Sequence, residues 1–154
     1  MKTNHLLLAL AGLIATPVIA QEITPKQSDV LKKLLATYTE KAKEEAKDTK
    51  GRGITIPYKP FTADAGREFY LQRRTWQATD YTCSGCHTTN PAKEGKHIDT
   101  NKSIKPLAPA FNPERFTDAK KVEENFTEHC RDLHDRDCRA MEKGNFIAYL
   151  MSIK

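Results

Sequence analysis

Cys83-Ser84-Gly85-Cys86-His87 constrains this chain more than any other stretch. Two thiols three positions apart, followed at once by an imidazole, form the C-x-x-C-H attachment sequence of a c-type haem. The thiols would add across the two vinyl groups, and the adjoining imidazole would become the proximal iron ligand. A domain built on this motif folds around its cofactor, which then supplies the redox centre while the polypeptide tunes it.

C-x-x-C also serves zinc and thioredoxin-like sites, so the compartment matters. Lys2 is followed by the apolar run Leu6 to Ile14, and Val18-Ile19-Ala20 ends on a small residue before Gln21. This reads as a cleaved secretory signal peptide over residues 1–20. Gly12 and Pro17 interrupt a stretch already shorter than the roughly 20 apolar residues that span a bilayer, which argues against an anchor. Export to the periplasm matches haem attachment, which follows secretion. The remainder suits one small domain with an appendage.

Charge points away from nucleic acid. The chain carries 25 Lys and Arg against 20 Asp and Glu, a net charge of +5. The two signs are interleaved, as in Lys41-Ala42-Lys43-Glu44-Glu45, which is the pattern of a solvated helix face.

Four cysteines are present, and a haem takes two. In an oxidising compartment Cys130 and Cys138 are expected to pair as a disulfide. Closing so short a loop contributes about 2.5 kcal/mol in the chain-entropy account. The rival arrangement gathers Cys83, Cys86, Cys130 and Cys138 around a zinc ion, but leaves His87 without a role.

Along the mature chain, Ser28-Asp29 is expected to cap an amphipathic helix with Val30, Leu31, Leu34, Leu35 and Tyr38 on its apolar side, fading near Asp48. Gly51-Arg52-Gly53, Pro57 and Pro60 then break the pattern. Residues 21–60 are thus a helical extension and linker, and residues 61–154 the domain proper. Thr62 can cap a helix over Ala63 to Gln72, with Ala65, Gly66 and Phe69 toward a partner. After the haem motif comes a long Pro-, Lys- and Gly-rich stretch without periodicity, reasonable if it wraps a cofactor. Thr117-Asp118 starts a third helix through Val122 and Phe126, and Phe146, Ile147, Leu150 and Met151 mark a fourth.

A helix before C-x-x-C-H, loops after it and an apolar C-terminal helix are the layout of an all-α class I cytochrome c, here with an extra N-terminal helix. Residues 61–154 further resemble the monohaem cytochromes of the SHP type (sphaeroides haem protein). The resemblance lies in Ala65-Gly66-Arg67, the Trp76 to His87 block, Gly95-Lys96-His97-Ile98, Ile104-Lys105-Pro106-Leu107-Ala108-Pro109 and Asn112-Pro113-Glu114-Arg115-Phe116-Thr117-Asp118. It implies one covalent haem c, axial iron ligation by His87, a disulfide beside the distal ligand, and an Asn at the sixth iron position. This chain departs there: His129, not Asn, precedes Cys130. If the local backbone carries over, the haem is ligated by His87 and His129, and Asn125 is not a displaced ligand.

Met141, His97 and His134 remain alternative ligands, each with a blander role in packing or on the surface. Trp76 and Tyr81 are expected to pack on the porphyrin edge. Lys93, Lys96, Lys102 and Lys105 would border the haem crevice and steer an acidic redox partner, or serve only as solubilising charges. The expected function is single-electron transfer by a periplasmic cytochrome that is not an enzyme. The alternative is a haem protein that binds oxygen, nitric oxide or carbon monoxide once reduction frees the distal position. By resemblance the partners are a dihaem or multihaem cytochrome and a membrane cytochrome b. The bridge could also govern whether His129 leaves the iron, since the two share a backbone.

Overall fold

The computed structural model describes residues 19–48, 57–76 and 79–154, without the side chains of Asp48 and residues 74–81. The expected signal peptide falls almost wholly outside the described residues, as do Gly51-Arg52-Gly53 and the side chains of Trp76 and Tyr81. Among the described residues no helix is long and apolar enough to cross a membrane.

Helix α1 (Pro25–Asp48) begins earlier than expected. Ser28-Asp29 does not cap it. Thr24 does: its hydroxyl accepts from the Gln27 amide at 3.2 Å while Gln27 Oε1 accepts from the Thr24 amide at 2.9 Å. This reciprocal box, with Pro25 at the first helical position, outcompetes the later polar pair. Leu31, Leu34, Tyr38 and Ala42 then form the buried stripe.

Helix α2 (Ala63–Leu71) is capped by Thr62, whose hydroxyl accepts from the Ala65 amide at 3.2 Å. Its buried positions are Gly66 and Tyr70, whereas Ala65 and Phe69 are only half-buried. A hairpin of β1 (Arg74–Trp76) and β2 (Thr79–Tyr81) leads into the one-turn helix α3 (Cys83–His87). The stretch beyond is less irregular than its composition suggests, since β3 (Gly95–Lys96) pairs antiparallel with β4 (Ser103–Ile104). A two-residue ladder is too short to show a period-2 pattern. A 3₁₀ turn (Pro109–Phe111) follows.

Helix α4 (Ala119–His134) starts where expected, the Asp118 carboxylate accepting from the Lys120 and Lys121 amides at 2.9 and 3.3 Å. It continues past Phe126 to His134, so His129 and Cys130 are helical. Its end is set by Asp135 in the left-handed region at φ 53°, whose amide bonds back to the Arg131 carbonyl. Helix α5 (Ala140–Ser152) completes the fold, with Ile147 and Leu150 fully buried.

Helices α2 and α5 cross closely because Gly66 lies on the Asn145 carbonyl, where any Cβ would collide with it. Helix α1 packs on the same layer and is tied to it by polar contacts. Gln27, fully buried, donates to the Pro109 and Asn112 carbonyls at 3.3 and 3.0 Å. Glu45 accepts from the Ala140 amide at 3.1 Å. Glu123 of α4 accepts from the Tyr38 hydroxyl of α1 and from Lys143 of α5 at 2.7 Å. Lys143 also lies over the Tyr38 and Phe126 rings at 5.7 and 5.5 Å. Burial works against the Glu123 carboxylate, but the bonds from Lys143 and Tyr38 outweigh it and hold its pKa below the ordinary carboxylate range.

Candidate haem site

A single helical turn presents the motif. In α3, Cys86 lies three and His87 four positions after Cys83, the two spacings that stack side chains on one face of a helix. Both thiols are half-buried and outside the disulfide. Gly95 of β3 lies directly against the Cys86 carbonyl, too close for any side chain.

The chain leaves α3 in an unusual conformation. Thr88 has φ 61°, a value that a β-branched residue rarely adopts. Tyr70 of α2, with no exposed surface, holds the turn by donating its hydroxyl to the His87 carbonyl at 3.1 Å and to the Thr88 carbonyl. Burial first, then Cys83 and Tyr149, push the Tyr70 hydroxyl well above its ordinary pKa, so it stays a donor. Tyr70 belongs to no motif, and its one mark in the sequence is its place four positions after Gly66 on the buried face of α2.

On the opposite side, α4 presents His129. Its Nδ1 lies 2.9 Å from the Asn125 carbonyl, one turn back. With Nδ1 as donor, Nε2 is left as the basic atom, the arrangement that orients metal-binding histidines. The His87 and His129 rings face each other with centroids 6.3 Å apart and planes 37° apart. Metal–imidazole bonds are about 2.0–2.1 Å and a ring nitrogen lies about 1.1 Å from its ring centre, so two imidazoles sharing one ion separate their centroids by roughly 6.2–6.4 Å. The separation observed is that of two imidazoles sharing one metal ion. Burial, then the charges of Arg115 and His129, lower the His87 pKa to about 4, which keeps its imidazole in the neutral form that metals bind.

The remaining candidates are engaged elsewhere. Met141 is half-buried in the apolar core. His134 stacks on Phe69, centroids 5.1 Å apart and planes 4° apart. His97 is exposed, its Nδ1 accepting from the Asp99 and Thr100 amides at 3.2 and 3.3 Å. Cys130 and Cys138 are joined in a disulfide with Cα atoms 5.5 Å apart, linking α4 to the start of α5. That bond removes both thiols from the four-cysteine zinc arrangement. Among the described residues no group of three or more His, Cys, Asp and Glu could hold a metal ion. Of the four lysines, all exposed, Lys105 is paired with Glu114 at 2.6 Å.

Known proteins resemble this chain. Residues 57–150 match a family described as a domain of unknown function, DUF1924. Cytochrome c'' of Methylophilus methylotrophus is 49% identical over 88 residues, which are 56% of this chain and 61% of that protein. The match to it thus spans about three fifths of that relative's length. The cytochrome c-type protein SHP of Cereibacter sphaeroides is 31% identical over 144 residues, 93% of this chain and 95% of that protein. The crystal structure of oxidized cytochrome c'' superposes with a TM-score of 0.66 at 37% identity, covering 82% of this chain and 96% of that one. Oxidized SHP, described as an oxygen-binding cytochrome c, superposes at 0.60 with 30% identity, covering 78% and 94%.

Proposed function

Since this chain belongs to the DUF1924 family, with the c-type cytochromes cytochrome c'' and SHP as relatives, we propose that it carries single electrons through one haem c held by Cys83, Cys86, His87 and His129. One observation carries this reading: two imidazoles 6.3 Å apart, centroid to centroid, one of them in the turn that bears both thiols. When bound, the haem supplies a one-electron couple. The chain's part is to hold both ligands through the cycle. Tyr70 fixes the backbone behind His87, and the Asn125 carbonyl orients His129 with Nε2 outward. With His87 and His129 both holding the iron, the same ligands would serve both oxidation states and little structural change would oppose the transfer. A secretory leader over residues 1–20 would deliver the protein to the periplasm, and the exposed Lys93, Lys96 and Lys102 suit an acidic partner such as a dihaem or multihaem cytochrome, with a membrane cytochrome b behind it.

A second reading has its own support. His129 is exposed on α4 and its ring is oriented by a single described hydrogen bond, and SHP is described as oxygen-binding. In this reading His129 would leave on reduction, and oxygen, nitric oxide or carbon monoxide would take its place. The visible spectrum of the anaerobically reduced holoprotein, with and without carbon monoxide, separates the two. A low-spin spectrum indifferent to the gas is the electron carrier's result. Conversion to a carbon monoxide adduct would replace that reading with the gas-binding one.

A further inference from the structure

The chain first meets the domain at Gln21. Ile19, with 73% of its surface exposed, and the exposed Ala20 lie outside the packed fold. Among the described residues the first hydrogen bond along the chain runs from the Gln21 main-chain nitrogen to the Ala110 carbonyl at 2.7 Å. Ala110 is buried in the 3₁₀ turn Pro109–Phe111, and the same turn is held from α1, where Gln27 donates to the Pro109 and Asn112 carbonyls. Gln21 itself is exposed, which leaves its carboxamide side chain in reach of its own main chain.

Cleavage after Ala20, at the end of the leader expected over residues 1–20, turns this nitrogen into the α-amine of an N-terminal glutamine. The position does not suit a charged amine. It stands four residues before α1, on the side of the positive end of that helix's dipole, and the first turn holds Lys26 and no acidic residue. Between the cleavage point and α1, Glu22 is the one acidic side chain, and it is exposed to water.

We propose that Gln21 is a modification site: the secreted chain is closed there by a five-membered lactam, pyroglutamate, which takes the end charge away from α1 and keeps the bond to Ala110. This rests on the leader reading and is independent of how the haem is used. The unprotonated α-amine attacks the side-chain carbon Cδ; a C–N bond forms, the bond from Cδ to Nε2 breaks, and ammonia leaves with the proton that the amine gives up. No electrons change hands and no co-reactant enters. An α-amino group ordinarily titrates close enough to neutrality for a share of it to be unprotonated at pH 7. The lactam nitrogen is neutral and keeps one N–H, which is what the Ala110 carbonyl calls for.

The test is the mass of the N-terminal peptide from holoprotein collected from the periplasm and denatured at once in the cold. That peptide should begin at residue 21, be lighter than its glutaminyl form by one ammonia, and resist stepwise Edman degradation until pyroglutamyl aminopeptidase removes the ring. Gln21→Asn keeps a carboxamide but would need a four-membered ring, so its peptide should carry the full mass and a free amine. The urea midpoint of that variant should lie below the wild type's at low salt, and the gap should narrow as salt screens the new charge. Equal midpoints at low salt would overturn the electrostatic role, and a wild-type peptide that begins at Gln21 with its amine free would overturn the lactam, both leaving the leader reading intact. A secreted chain that begins at another residue would overturn the lactam and the expected cleavage point together.

Discussion

The two sides of the site are secured by different means. His87 sits in a turn fixed at short range: its thiols are its sequence neighbours, Gly95 presses on the preceding carbonyl, and the buried Tyr70 hydroxyl holds its own. His129 stands exposed on α4, oriented by one carbonyl and followed by the disulfide. His87 is thus tied to the core through Tyr70, whereas His129 is an exposed side chain on α4. A substitution on the first side should disturb folding and haem attachment together, while one on the second should change the iron's coordination and spare the fold.

The sharpest way to break this contrast is Gly95→Ala. A methyl group there meets backbone rather than a yielding side chain, so the cost should exceed the roughly 1–3 kcal/mol of ordinary overpacking. Haem content per protein, read from the pyridine haemochrome, should fall several-fold; a normal yield would show the proximal turn to be looser than described. Tyr70→Phe is milder. It leaves two carbonyls beneath the core without their donor, and denaturant unfolding of the holoprotein should show a loss of about 1–3 kcal/mol.

Glu123→Gln probes neither ligand but the staple joining α1, α4 and α5. Because the Glu123 pKa is lowered in the folded state, its contribution is fully present above the ordinary carboxylate range and is lost as pH falls through the lower folded value. Replacement should therefore cost about 1 kcal/mol at pH 7 and progressively less toward acid. Equal losses at both ends of that range would mean that packing, not charge, is what the side chain supplies.

His129→Ala should have the smallest effect on structure, with far-UV dichroism unchanged, yet the reduced holoprotein should now bind carbon monoxide. A reduced spectrum still blind to the gas would assign the sixth position to another residue.

Much of this was legible before any coordinates. C-x-x-C-H sits on one helical turn, so its three functional groups are brought together by local geometry alone. The apolar stripe of α1 and the Asp118 cap are equally local. The errors also have local causes. Thr24-Pro25-Lys26-Gln27 is a capping box that lies just before the equally polar Ser28-Asp29, and α4 continues past Phe126 to a stop at a left-handed Asp135 rather than a glycine. Tyr70 gave a weaker signal, since its partners are backbone carbonyls on another element, and carbonyls leave no mark in a sequence.

C-x-x-C-H marks a covalent haem and the side chains expected to hold it, because that chemistry needs residues only a few positions apart. Which of several distant candidates lies beside His87 depends instead on the tertiary fold. His97, His134 and Met141 were chemically eligible, but the placement of α4 sets the exposed His129 ring 6.3 Å from that of His87 and leaves the others in the core or at the surface. That choice depends on how helices pack against one another, which no spacing along the chain encodes.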